Sequence, residues 1–406
     1  MTWTLAIVAA TILGVTACSR FLTGTPVTPT MVFVAVGVLV GPLVLGEVDL
    51  SSSGSPVRTL AEATLALVLF SDASRVDLRE LRTERSLPVR LLGIGLPLTI
   101  AAGAALAALL FGALDVSEAL ILAVCLAPTD AALGQAVVTD ERVPERIRQA
   151  LNVESGLNDG ICVPVLLIVL ATAETASGLE GAGEALRIVT EEIGWGIAGG
   201  LAAGALAGLI VVRAGRRGLI APAWRQTISV AAAFLAYGLA DALGGSGFIG
   251  AFVAGMTFGH LVRRGTEDLT VFDENLGQLL DAVTFIVFGA VLLGPALEEL
   301  SWQVVLYAVL SLTVVRMLPA ALALIGSRTH RPTTAFLGWF GPRGLASIVF
   351  AVIVVEESDL PHVGTIVVTT YVTVGLSVLL HGLTAAPLAR RYGTWAGAHR
   401  RAGDPT

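Results

Sequence analysis

The sequence predicts an all-α polytopic membrane protein of about thirteen transmembrane helices, arranged as inverted six-helix repeats with two broken helices crossing at mid-membrane. Three observations predict it. Hydrophobic residues fill 55% of the 406 positions and charged ones only 14%, against about 25% charged in a soluble domain. Long apolar runs recur along the whole chain. Arginine falls in alternate links between those runs, as the positive-inside rule requires of a chain that weaves through a bilayer.

Taken in order, the runs place helices at about 3–19, 27–46, 57–74, 88–112, 117–138 and 147–172. Further runs follow at about 185–212, 225–241, 246–262, 272–294, 301–326, 333–356 and 361–388. The links are short, so residues 1–390 read as a single transmembrane unit with no inserted soluble domain. Repeat one covers 3–172, a connector helix 185–212 and repeat two 225–388. Residues 391–406 read as a short, basic, poorly ordered cytoplasmic tail.

The charge pattern checks the order of the spans. One set of links carries Arg20, then Arg75, Arg79, Arg82, Arg85 and Arg90, then Arg142, Arg146 and Arg148. It continues through Arg213, Arg216, Arg217 and Arg225, Arg263 and Arg264, Arg328 and Arg331, and the tail. The intervening links are acidic, with Glu47, Asp49, Asp115, Glu174, Glu180, Asp241, Glu298, Glu299, Glu356 and Glu357. Arg58 and Arg187 are the exceptions on that side. The expected orientation in the cell inner (plasma) membrane is N-terminus outside and C-terminus in the cytoplasm. Cys18, Cys125 and Cys162 have no CxxC spacing, so neither a disulfide framework nor a metal site is expected. Val15–Cys18 has the form of a lipoprotein cleavage box, but no basic n-region precedes it, and the first run reads as a retained span.

Two features repeat seven spans apart. The second and ninth spans are both glycine-rich, and the fifth and twelfth are both interrupted, at Pro128 and at Gly341-Pro342-Arg343-Gly344. An odd offset puts the two copies in opposite orientations, the arrangement of secondary transporters, whose binding sites lie at paired broken helices near mid-membrane. The acids sit there too. Asp130 lies in the fifth span and Glu154 and Asp159 in the sixth, although an ionised side chain at mid-membrane costs about 3 kcal/mol on insertion scales.

At about 100° per residue, Ser155 and Asp159 share one helix face and Glu154 and Asn158 another. Pro128 disturbs its helix and frees carbonyls near Thr129 and Asp130. Thr129, Asp130, Ser155 and Asp159 therefore supply the oxygen ligands a hard cation such as Na⁺ prefers. A carboxylate among them holds a cation or a proton but not both, and that competition yields antiport once the site alternates between the two sides. Arg343 needs a partner within the membrane, and Glu154, on the other face, is the expected one. Arg316 reads as a residue that pairs or snorkels, and His381 as a packed core histidine.

Ala127-Pro128-Thr129-Asp130, Asn152–Asp159 and Gly338–Gly344 resemble the motifs of NhaP-type members of the monovalent cation/proton antiporter superfamily. Leu69–Ala73 and Leu380–Thr384 resemble the family as well, and the likeness covers essentially the whole chain. It implies a homodimer in which a six-helix core domain of each protomer moves against a dimerisation domain. It implies that Asp159 is the principal ion and proton carrier, assisted by Asp130, Thr129 and Ser155, and that Glu154 pairs with Arg343. Electrogenic relatives carry two aspartates where this chain has Asn158-Asp159, so electroneutral exchange is expected. Whether Asp72, beside Ser71, reaches the site or caps its span is left open.

The expected function is exchange of Na⁺ (or Li⁺) for H⁺ through an alternating-access site at Asp159, with K⁺/H⁺ exchange by the same fold as the alternative. An ion channel or a non-transporting sensor is the rival of another class. No nucleophile triad, metal-ligand cluster or nucleotide loop points to an enzyme. The expected partners are monovalent cations, protons, membrane lipid and a second copy of the chain; no cofactor and no nucleic acid is expected.

Overall fold

The structure, a computed structural model, describes residues 2–22, 25–44, 54–76, 86–130, 133–175, 182–221, 224, 227–265 and 274–401. Glu47, Asp49, Arg79, Arg82, Arg85, Glu180 and Arg225 of the charge pattern lie outside the described residues.

The helices in chain order are α1 (Thr2–Leu22), α2 (Pro29–Val40), α3 (Gly54–Arg75), α4 (86–110), α5 (Val116–Cys125), α6 (Gln135–Val138) and α7 (Glu145–Thr175). They continue with α8 (Ala182–Arg216), α9 (Thr227–Ala242), α10 (Gly247–Gly265), α11 (274–298), α12 (302–323), α13 (Arg331–Trp339), α14 (Leu345–Glu357) and α15 (Val363–Arg401). Six stretches among the described residues are long and apolar enough to cross a membrane: Leu87–Leu110, Glu145–Ala173, Val189–Arg216, Leu279–Glu298, Trp302–Ala323 and Val363–His399. The chain is a multi-pass membrane protein.

Local chemistry explains where helices start and bend. Thr28 caps α2 by accepting Met31 N–H at 3.4 Å, with Pro29 in the first turn where its missing donor costs nothing. Asp115 and Glu118 form a reciprocal capping box at the start of α5. Three helices widen into a π-turn, at Leu91–Gly95, Phe288–Leu293 and Ser311–Val315. Each π-turn contains the residue four before a proline (Gly93 before Pro97, Val291 before Pro295, Val315 before Pro319), where the ring collides with the carbonyl it cannot bond.

Two expected helices are broken. The run expected at 117–138 becomes α5, a non-helical stretch through Asp130, and α6; the run expected at 333–356 becomes α13 and α14. At both breaks the residue before a proline, Ala127 or Gly341, is disfavoured in helical geometry. The tail differs from expectation. It is not loose through Arg401, because α15 continues to that residue. Tyr392 stacks on Phe336 at 4.2 Å between ring centroids and meets the Thr333 hydroxyl at 3.0 Å, which anchors the extension.

The chain folds as two compact units. One comprises Met1–Arg58, Ser86–Asn158 and Asp281–Thr406; the other comprises Thr59–Arg85 and Asp159–Leu280. In the first, Leu87, Ile147, Leu151, Leu337 and Phe340 belong to one buried apolar cluster around the second break. In the second, α8, α9 and α10 meet through small residues, and Phe70 and Phe258 pack with ring centroids 5.5 Å apart. Arg263 closes the end of α3 there, its guanidinium donating to the carbonyls of Ser74 (2.5 Å), Arg75 (3.2 Å) and Val76 (3.0 Å).

Candidate functional site: a crossing of two broken helices

The first unit contains both breaks, and each supplies the cap the other lacks. Beyond α5 the carbonyls of Ala127 and Pro128 have no helix to bond. The Arg343 guanidinium, from the second break, donates to them from Nη1 at 2.7 and 3.0 Å. At the start of α14 the capping position is Gly344, which has no side chain to offer. Asp130, from the first break, fills the role: its Oδ2 accepts Leu345 N–H at 2.9 Å and its Oδ1 accepts Leu133 N–H at 3.2 Å. A carboxylate at a helix N-terminus also meets the positive end of the macrodipole. A Cβ on residue 344 would overlap the Asp130 carboxylate, so glycine is what lets the cap approach. The Asp130 N–H donates to the Pro342 carbonyl at 2.8 Å and completes the exchange.

Against this crossing, α7 presents polar groups deep in the protein. The Thr129 and Ser155 hydroxyls are 3.0 Å apart, and the Asn158 amide donates to Thr129 Oγ1 at 2.7 Å. Thr129, Ser155 and Asn158 are all buried. Among the described residues, Asn158 Oδ1 is buried with no hydrogen-bond donor. Asp159 follows Asn158 directly in α7, at the first position of the second unit, and is itself 7% exposed.

Glu154 does not pair with Arg343. Its carboxylate is held by Arg316, Nη1 to Oε1 at 2.5 Å and Nη2 to Oε2 at 2.9 Å, with both side chains 4% exposed. Arg316 Nη2 also reaches the Leu337 carbonyl near the end of α13, at 3.5 Å. The expected partner was wrong because Arg343 faces the backbone of the first break. The Ser311–Val315 π-turn immediately before Arg316 re-aims that residue relative to a regular helix. The fork-to-fork geometry satisfies both charges, as a buried ion pair requires.

The structure thus brings together Thr129, Asp130, Ser155 and Asn158, and separately Glu154 with Arg316. Asp130, expected as a cation ligand, has both oxygens engaged as backbone caps. Asp72 lies half-buried in the last turn of α3, in the second unit. Sequence reasoning gave no role to Ser377, although its spacing of four from His381 puts both on one face of α15.

A family model described as sodium/hydrogen exchanger, transmembrane, matches residues 7–391. The chain belongs to the sodium/hydrogen exchanger family. This exchanger-family chain is 26% identical over 364 residues to the low-affinity Na⁺/H⁺ antiporter NhaS1 of Synechocystis sp., covering 86% of itself and 67% of that protein. It is 24% identical over 361 residues to the K⁺/H⁺ antiporter NhaP2 of Shewanella sp. strain MR-4, covering 89% of itself and 62% of the relative. The chain therefore spans less than two thirds of the NhaP2 length. In fold it matches the sodium proton antiporter MjNhaP1 of Methanocaldococcus jannaschii with a TM-score of 0.79, at 20% identity over 97% of this chain and 98% of that one.

Proposed function

We propose that the chain is a secondary carrier, not an enzyme, that exchanges Na⁺ (or Li⁺) for H⁺ across the cell membrane. The observation that carries this is the reciprocal capping of the two breaks, which leaves buried hydroxyl and amide oxygens of Thr129, Ser155 and Asn158 beside the backbone of a broken helix. Such oxygens suit a hard monovalent cation, and a buried carbonyl oxygen without a donor is a ready ligand. Asp159 supplies the exchangeable charge, binding a proton or the cation in turn. Asp130 and Arg343 position the crossing, and the Glu154–Arg316 pair fixes α7 against α12.

Asn158 in place of a second carboxylate makes the exchange electroneutral, one proton per cation, driven by chemical gradients. The working form is a homodimer in the plasma membrane, N-terminus outside and C-terminus in the cytoplasm. The membership of the sodium/hydrogen exchanger family and the likeness to NhaS1 support Na⁺; the likeness to NhaP2 favours K⁺/H⁺ exchange as the second reading.

The test is dequenching of a pH-sensitive dye in everted vesicles, titrated with Na⁺, Li⁺ and K⁺. Saturable dequenching by Na⁺ and Li⁺ is expected, and a response to K⁺ alone selects the second reading. Asp159→Asn abolishes exchange while the protein still folds; retained exchange refutes the carrier role. Clamping the membrane potential leaves the wild-type rate unchanged, and a voltage-driven wild type overturns electroneutrality.

A further inference from the structure

His381 lies buried in the first unit, on α15, and its hydrogen bonds among the described residues run to Ser377 and Trp339. Its ring joins the two sides of the second break. Nε2 lies 3.0 Å from the Trp339 carbonyl, at the end of α13. Nδ1 lies 3.1 Å from the Ser377 hydroxyl and 3.0 Å from the Ser377 carbonyl. The Ser377 hydroxyl in turn accepts the Arg343 N–H at 2.7 Å, on the far side of the break. The Trp339 indole adds a hydrogen bond to Thr384 Oγ1 at 3.0 Å and packs on the imidazole with centroids 5.1 Å apart.

Nε2 and Nδ1 each lie 3.0 Å from a carbonyl oxygen, which can only accept, so the contacts alone allow a proton on either nitrogen. A clamp across the break requires it on Nε2, toward Trp339; Nδ1 then accepts from the Ser377 hydroxyl. One directional chain results: Arg343 N–H to Ser377 Oγ, Ser377 O–H to His381 Nδ1, His381 Nε2–H to the Trp339 carbonyl. It adds a second donor to the Trp339 carbonyl, which already accepts the Gly341 N–H at 2.8 Å, and satisfies a backbone donor inside the break, with one pair of side chains from a third helix.

We propose that His381 and Ser377 are positioning residues that clamp the second break at fixed length. By fixing the Arg343 backbone they hold its guanidinium on the Ala127 and Pro128 carbonyls, next to Thr129. The inference rests on the exchange activity proposed above. Neither residue carries the ion or the proton; loosening the clamp displaces the cation ligands, so it weakens cation binding more than it slows turnover.

The test uses the full chain in proteoliposomes. His381→Ala raises the KM for Na⁺ about tenfold, the scale of one lost buried hydrogen bond, with a smaller change in kcat. His381→Gln, whose amide can donate to the Trp339 carbonyl, restores most of the wild-type KM and keeps the wild-type pH profile. A wild-type KM in His381→Ala overturns the clamp, and so does a displaced pH profile in His381→Gln, which marks a titrating proton carrier. Should His381→Ala not fold, Ser377→Ala, which cuts the link to Arg343 N–H, decides: a raised KM supports the clamp and an unchanged one overturns it. Solid-state ¹⁵N NMR of labelled wild type, independent of any transport, shows a proton on Nε2 and none on Nδ1; the opposite tautomer overturns the clamp. An inactive wild type with that signature refutes the exchange reading and leaves the clamp standing.

Discussion

The two units hold their helices together by opposite means. At the crossing in the first unit, polar groups exchange caps: Arg343 for the Ala127 and Pro128 carbonyls, Asp130 for the start of α14, Arg316 for Glu154. In the second unit, α8 meets α10 by removing side chains altogether. A Cβ on Gly204 would lie 2.6 Å from the Ala254 carbonyl oxygen, and one on Gly200 2.5 Å from that of Gly250. Lipid gives apolar helices no solvent-driven reason to associate, so close backbone packing and interhelical hydrogen bonds are the two available adhesives. The second unit uses the first kind, which tolerates no added volume but needs no charge. The crossing uses the second, which keeps a broken, buried backbone satisfied.

The comparison breaks most sharply at the ion pair. Removing one partner of a buried pair leaves an uncompensated charge, so Arg316→Ala should lower stability by about 3–5 kcal/mol, read as thermal or denaturant unfolding in detergent. Glu154→Leu combined with Arg316→Met should recover most of that loss, since no charge is then left alone. A double variant as unstable as Arg316→Ala would show that the pair does more than neutralise itself. No single polar change in α8 or α10 should approach this size.

Two glycine substitutions sharpen the contrast further. Gly204→Ala pushes against backbone that cannot swing aside and should cost about 1–3 kcal/mol, the range for overpacking. Gly344→Ala pushes against the Asp130 carboxylate, which can rotate away but then uncaps α14, a loss of about 1 kcal/mol. The functional order should be the reverse: Gly344→Ala loses exchange in vesicles and Gly204→Ala keeps most of it. Equal activity in the two variants would remove the distinction between a packing glycine and a capping one.

Much of this was legible in the sequence because a bilayer is a strict solvent. The apolar runs fell on helices, and both breaks were marked by a residue before proline, at Ala127 and Gly341. The approach of Ser155 to Thr129 was legible from helix spacing and the first break, whereas Asn158, expected on the face of Glu154, instead donates to Thr129. The partner of Glu154 was not legible. The π-turn ahead of Arg316 holds an extra residue, and one residue rotates the following side chains by about 100°, which a regular 3.6-residue pattern does not encode. The tail was misread for another reason. Its arginines suggested a solvated end, whereas Tyr392, Trp395 and His399 recur at helical spacing and pack along one face. The clamp at Ser377 and His381 was visible as an i, i+4 pair, but only the fold shows that it faces the break.

The smallest expected effect lies in the turn before α7, away from both adhesives. Asp140 Oδ1 accepts from Arg142 N–H at 3.0 Å and from Nε at 2.8 Å, and Oδ2 accepts from Nη2 at 2.7 Å. The Arg142 side-chain hydrogen bond is the main reason the Asp140 carboxyl is held below the ordinary carboxylate value; the backbone N–H and the nearby charges of Arg142 and Arg148 add to it. A carboxyl whose native value is depressed binds fewer protons folded than unfolded, so its contribution to stability is present above the unfolded value of about 3.9 and is lost as the pH falls below it. Asp140→Asn should therefore unfold slightly below the wild type at neutral pH, by an amount that salt screens because the Arg142 side chain is solvent-exposed. The gap between the two Tm values should narrow as the pH is lowered below about 3.9. A gap that stays constant from neutral pH down to strongly acidic solution would mean that the turn is held by its backbone hydrogen bond alone, and not by the carboxylate charge.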